Sequence, residues 1–407
     1  MIWVLLILLF TSYFPRAHDS HEIHSRQMAG MTLLLLWLAS QFPNPYLGLL
    51  LAVGALGAWW APLPLNTHKI VLLPALPWIL SYYLGASTVT PAWIVPLLSG
   101  CVGIGLIQAA WLCYSVVIGG RYYRHRILLW EVYEDHWSGL TAGATNTNLT
   151  EAISGVTTAA ALGLAWCESP LWLLSAMLCA LPILVNQGML LDRDLTPTQG
   201  TVFLATLPCA AVLVLGGWLG WLAIGILFWS VILWGWRHRH TSKLWSLRDV
   251  LWVWAWKIYR SLPIAGKLFG AGTGSWLPLY VKDGPTWRGD VSSGQMLTKH
   301  LATHPHNEFV HIGFEQGVVG LTALCAYLAT GLWTASQGTP QTQAVAFVGW
   351  VLCAAAFLQW PWTQFHEVAF QSKPDPASPI LEQQTMGHGI PTLNALSVVI
   401  AILLEAR

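Results

Sequence analysis

Residues 91–118 read PAWIVPLLSGCVGIGLIQAAWLCYSVVI, a stretch without one acidic or basic side chain. A helix needs about 20 apolar residues to cross the ~30 Å hydrocarbon core of a bilayer, and this run exceeds that length. The rest of the 407-residue chain is written in the same style, with 55% hydrophobic and only 9% charged residues. A soluble domain usually carries about a quarter charged residues. A chain this poor in charge cannot solvate its own surface in water, so the bilayer is its solvent.

Working outward from 91–118, further apolar runs lie at 1–14, 30–44, 46–62, 69–85, 151–166, 169–187, 200–216, 218–236, 308–335, 341–360 and 391–405. Lipid leaves no unsatisfied backbone group tolerable, so these runs are expected to be helices. The fold expected is an all-α polytopic membrane protein, a bundle of about 12 transmembrane helices. Small-residue pairs such as Gly216-Gly217 and Gly317-x-x-Gly320 suit close helix packing, and the 26 tryptophans suit interfacial belts. Residues 1–14 lack a basic leader and precede Pro15-Arg16 rather than a small-residue cleavage site, so they read as a first span or anchor. Three parts follow: N-terminal helices in 1–236, a large non-spanning loop in 237–307 and C-terminal helices in 308–407.

The net charge of +1 carries no global field that points to nucleic acid. The seven cysteines are scattered through apolar runs with no C-x-x-C, and read as small hydrophobes. His18, His21 and His24 read as a solvated loop. Asp192-Arg193-Asp194 resembles a metal-holding string of nucleotide-sugar transferases, but the chain has no room for their α/β domain. No metal-ligand set with a recognised spacing stands out, and His311 with Glu315 reads as an i,i+4 pair on one helix.

Charge gathers in the loop, which holds ten of the nineteen Lys and Arg. The positive-inside rule places such a loop in the cytoplasm, but long loops escape that rule. The alternative is that the charge serves a ligand. Leu247 to Ile258, with Trp252, Trp254 and Trp256, reads as an amphipathic or interfacial helix ending near Pro263. Gly270-Ala271-Gly272-Thr273-Gly274 then makes a flexible turn whose N–H groups can approach a ligand, unless it is a plain connector. At the end of the loop stands His304-Pro305-His306-Asn307-Glu308. A histidine at a membrane–water boundary can take a proton near neutral pH, as a general base acting on a hydroxyl must. Arg248, Arg260 and Arg288 share the loop with His306, and guanidinium forks match phosphate oxygens. Fixed cations would stabilise a departing pyrophosphate. Upstream, Asn146-Thr147-Asn148 opens the run at 151–166, with Asn148 as its expected N-cap and Glu151 as the capping-box partner.

His306-Asn307, nine residues, then Gly317-Val318-Val319-Gly320 resembles the His-Asn signature of the O-antigen ligase / Wzy C-terminal superfamily. Glu315 fits that pattern too. Arg248-Asp-Val-Leu-Trp252, followed by Pro263 and the glycine turn, is similar to the family's Arg-x-x-x-Trp…Pro segment, and Asn146-Thr147-Asn148 resembles its Asn-Pro-Asn element. The likeness covers roughly residues 140–335. Two positions depart from it: Thr198-Gln199-Gly200 stands where relatives carry Ser-Arg-Gly, and Lys267 and Phe269 lengthen the turn after Pro263.

The resemblance implies a bacterial inner-membrane glycosyltransferase with its large loop and active site on the periplasmic side. The donor would be a glycan on undecaprenyl pyrophosphate, with no cofactor and no metal. The acceptor would be lipid A–core, as for the ligases, or else a periplasmic protein or a growing glycan chain. His306 would act on the acceptor hydroxyl and Arg248 on the pyrophosphate; Arg288, Arg260, Asn307, Glu315, Asn146 and Asn148 would contribute to binding. Two other readings stay open: a transporter of lipid-linked sugar, which would carry ionisable residues inside its spans, and an inactive homologue, raised by Gln199.

Overall fold

The computed structural model describes residues 44–62, 73–122, 147–190, 203, 205–212, 214, 248–284, 305–358 and 389–406. All regular structure among them is helical. Among the described residues, three helices are long and apolar enough to cross a membrane: Pro91–Cys113, Glu308–Ser336 and Pro340–Phe357. The expected spans at 1–14, 30–44 and 218–236 lie outside the described residues, apart from position 44, and 200–216 is described only in part.

In chain order the helices are α1 (Pro45–Gly57), α2 (Leu73–Thr88), α3 (Ile94–Tyr122, entered through a 3-10 turn at Pro91–Trp93), α4 (Thr147–Cys167) and α5 (Trp172–Leu190). The loop region contributes α6 (Arg248–Ser261), α7 (Ile264–Phe269) and α8 (Trp276–Asp283). The C-terminal part contributes α9 (Glu308–Ser336), α10 (Pro340–Leu358) and α11 (Gly389–Leu403). α1 starts where the sequence dictates, with the Asn44 side chain accepting from the amides of Tyr46 and Leu47 and proline at the first helical position. It is shorter than the run 46–62. Its 13 residues rise about 20 Å, too little for a bilayer core, because the chain turns at Ala58–Trp60.

The chain divides into two compact units. The first takes residues 1–83, 250–305 and 309–329, and so holds α1, α7, α8 and most of α2, α6 and α9. Trp254 of α6 is its hub, with ring contacts to Trp276 at 5.1 Å, Tyr280 at 5.3 Å and Phe314 at 5.8 Å. The Trp254 indole N–H donates to the Asp283 carbonyl at the end of α8.

The second unit takes residues 84–249, 306–308 and 330–407. α4 is its centre and packs against α3, α5, α10 and α11. Every residue from Leu149 to Ala161 is buried, so this stretch of α4 has no exposed face, while Trp166 near its end is exposed. Alanine, glycine, serine and threonine dominate that stretch and let neighbouring backbones come close. Two of its buried hydroxyls find carbonyl partners: Ser154 Oγ donates to the Cys179 carbonyl, and Thr157 Oγ1 to the Ile153 carbonyl at 2.9 Å. Gln108 of α3 donates to the Thr150 carbonyl at 3.3 Å. Asn148 is not the N-cap expected from the sequence. The helix already includes Thr147, which puts Asn148 in its first turn and Glu151 in the buried core rather than in an exposed capping box.

Candidate functional site

His306 sits at the entrance to α9 with φ 55, the one non-glycine residue with positive φ among the described residues. That region crowds Cβ against the carbonyl and costs roughly 1–2 kcal/mol, though histidine tolerates it better than most residues. Such strain persists where neighbouring structure over-determines the backbone, and it clusters at functional sites. Here the neighbour is visible. The Trp252 indole N–H donates to the Pro305 carbonyl at 2.8 Å, fixing the peptide group that leads into His306. Asn307 and Glu308 follow, both buried. Glu308 lies in the first turn of α9, where the helix dipole favours a negative charge.

Arg248, the first residue of α6, is buried as well. Burial pushes its guanidinium down to about 10, so it remains charged at neutral pH. A buried cation is kept only where other groups satisfy it. Arg248, His306, Asn307 and Glu308 fall in the same compact unit as Asn148 and Glu151. Arg260 differs: it is exposed in the last turn of α6. Asn146, Gln199 and Arg288 lie outside the described residues.

The glycine turn corrects one expectation. Its amides are not presented to a ligand, because the protein itself uses them. Ala271 N donates to the Phe314 carbonyl at 2.9 Å and Gly272 N to the Glu315 carbonyl at 3.0 Å. Gly274 N and Trp276 N donate to the two carboxylate oxygens of Glu315 at 2.8 and 3.0 Å. The turn is bound to α9 at a break in that helix: Gly317 has φ 68 and ψ −165, a region open essentially to glycine alone. Carbonyls ahead of such a break need new donors, and the turn supplies them. The approach is so close that a Cβ on Gly317 would lie 2.4 Å from the Leu268 carbonyl oxygen, and one on Gly270 would lie 2.2 Å from that of Glu315. On the other side Thr273 Oγ1 donates to the Gly54 carbonyl of α1 at 2.6 Å.

Glu315 is therefore a tether in this arrangement. It caps the start of α8, and His311 Nε2 lies 3.3 Å from its Oε1 with both side chains buried. The i,i+4 pair seen in the sequence is a contact inside the fold. Two residues stand out that sequence reasoning left in the background. Trp252 reads from the sequence as a motif residue on an interfacial helix, yet it holds Pro305. Glu151 entered as a capping partner, yet it is a carboxylate only 2% exposed in the central helix. The signal for Glu151 was available: it is the only charged residue in the run 151–166.

A scan against known protein families finds no match, and a search of curated proteins finds none either. The family resemblance therefore rests on the motif residues themselves.

Proposed function

We propose that the protein is a membrane glycosyltransferase that moves a glycan from undecaprenyl pyrophosphate to an acceptor hydroxyl, most like an O-antigen ligase. In this reading the described helices belong to a bundle of about twelve in a bacterial inner membrane, with residues 237–307 on the periplasmic side. His306 takes the acceptor hydroxyl proton, and the oxygen attacks the anomeric carbon. The bond from that carbon to the pyrophosphate oxygen breaks, and undecaprenyl pyrophosphate leaves. A positioned general base contributes typically 10²–10⁴-fold to such a step. Arg248, with Arg288, stabilises the charge that develops on the leaving group; a desolvated guanidinium does this better than one in water. Asn307 and the Asn146–Asn148 element contribute to binding, and Glu315 holds the framework of the glycine turn.

The observation that carries the reading is the strained backbone of His306, at the histidine of the family-like motif. One feature favours the transporter alternative: Glu151 is an ionisable group buried in the central helix. A reconstituted assay separates the two. Purified protein is given an undecaprenyl-pyrophosphate glycan with lipid A–core, with a pilin-like protein, or with more donor. Product on one acceptor, lost in His306→Ala, is the expected result and identifies the acceptor class. Donor binding without product on any acceptor defeats the transferase reading and turns attention to Glu151.

A further inference from the structure

The outer face of α6 is not built for water. Ideal helix geometry advances 100° per residue, so Val250, Val253, Trp256, Lys257 and Arg260 share about a third of the circumference. All five are exposed, while Leu251, Trp254 and Ala255 on the opposite side are buried. A water-facing arc on such a helix would carry mixed polar charge; this one carries two valines, a tryptophan and two cations. α7 continues the pattern. Ile264 is 77% exposed, and Leu268 and Phe269 are exposed beside Lys267. From Val250 to Lys282 there is no acidic residue. With 14 residues α6 is too short to span a bilayer.

We propose that α6 and α7 lie on the bilayer surface and bind anionic phospholipid headgroups through Lys257, Arg260 and Lys267, with Trp256, Ile264 and Phe269 set into the acyl boundary. Lysine and arginine interleaved with tryptophan and valine on one exposed arc suit a helix at headgroup depth, where the long basic side chains reach phosphates while the apolar ones enter the acyl boundary. Charge selects this occupant over a second copy of the chain: a two-fold contact sets the patch against itself, cation facing cation. An anionic lipid surface attracts each of them.

The test is hydrogen exchange, read by mass spectrometry, on the full chain in nanodiscs of phosphatidylcholine alone and of phosphatidylcholine with one-third phosphatidylglycerol. Amides of 250–269 are expected to exchange at least about fivefold more slowly with phosphatidylglycerol, the change that one favourable cation–headgroup contact implies. The K257E/R260E/K267E variant should lose that difference while α10 exchanges as in the wild type, which shows the fold intact. The wild-type comparison needs no variant, so a misfolded triple mutant leaves the proposal testable. Equal rates for 250–269 in the two nanodiscs overturn it. So does protection that is independent of lipid but rises with protein concentration, which would assign the face to a second copy.

Discussion

A histidine held at φ 55 pulls stability and chemistry in opposite directions, and substitutions at position 306 can separate them. Glycine accepts this backbone without Cβ strain, so His306→Gly should raise stability by about 1 kcal/mol, seen as a higher melting temperature in detergent. His306→Ala keeps most of the strain. Both variants should lose glycan transfer; retained transfer in either would remove His306 from the chemistry. Trp252→Phe keeps an aromatic, if smaller, ring and deletes the N–H that holds Pro305. It should cost about 1 kcal/mol of stability and, if His306 is the base as proposed, lower kcat more than KM; an unchanged kcat would show that the clamp does not matter. Arg248→Lys should also be poor in transfer, because a point charge cannot replace the fork. The sequence showed the titratable histidine at a boundary, but not its strain. The Pro305 carbonyl just before it is held by a tryptophan 53 positions away, and no local pattern encodes a contact at that distance.

The join between the glycine turn and α9 is where local reading left two alternatives, a ligand turn or a connector, and the reason is physical. Glycines in a turn signal close approach, which is correct here, but the partner can be a ligand or another segment of the same chain. Glu315, 41 positions from Gly274, occupies its amide, and only tertiary structure reveals that. The helix itself was legible: the apolar run at 308–335 became α9 almost residue for residue. Its break at Gly317 was not, because one glycine inside a helical pattern is ordinarily tolerated. Gly317→Ala and Gly270→Ala should each destabilise the protein by roughly 2–3 kcal/mol or more, from backbone strain alone. They remove one shared contact, so the double variant should cost clearly less than the sum, as urea or thermal unfolding can measure. Additive losses would mean that the two glycines serve separate contacts. Glu315→Gln keeps one acceptor oxygen where the carboxylate has two, and should cost about 1 kcal/mol through the cap of α8.

The scarcity of charge was enough to read a helical membrane protein, since lipid admits few other structures. It could not settle which runs cross. α1 is apolar throughout yet too short, and α4 is buried on every side from Leu149 to Ala161 with a glutamate inside that stretch. A transmembrane helix and a buried core helix draw on the same residues, and helix length alone separates them poorly. Orientation is harder still. The loop carries ten of nineteen basic residues, and the usual charge rule, which long loops escape, would favour the side opposite to the one the proposed chemistry needs. A pyrophosphate-linked donor explains the conflict if those cations face it from the periplasm, whereas a cytoplasmic loop would need no ligand to account for them. Reporter fusions decide between these. Alkaline phosphatase, active only in the periplasm, should be active when fused after Gly284, within the loop. It should be inactive when fused after Gly338, since α9 between the two points is long and apolar enough to cross. The reverse pattern would put His306 and Arg248 on the cytoplasmic side, and the proposed transfer would fail there whatever the local geometry offers.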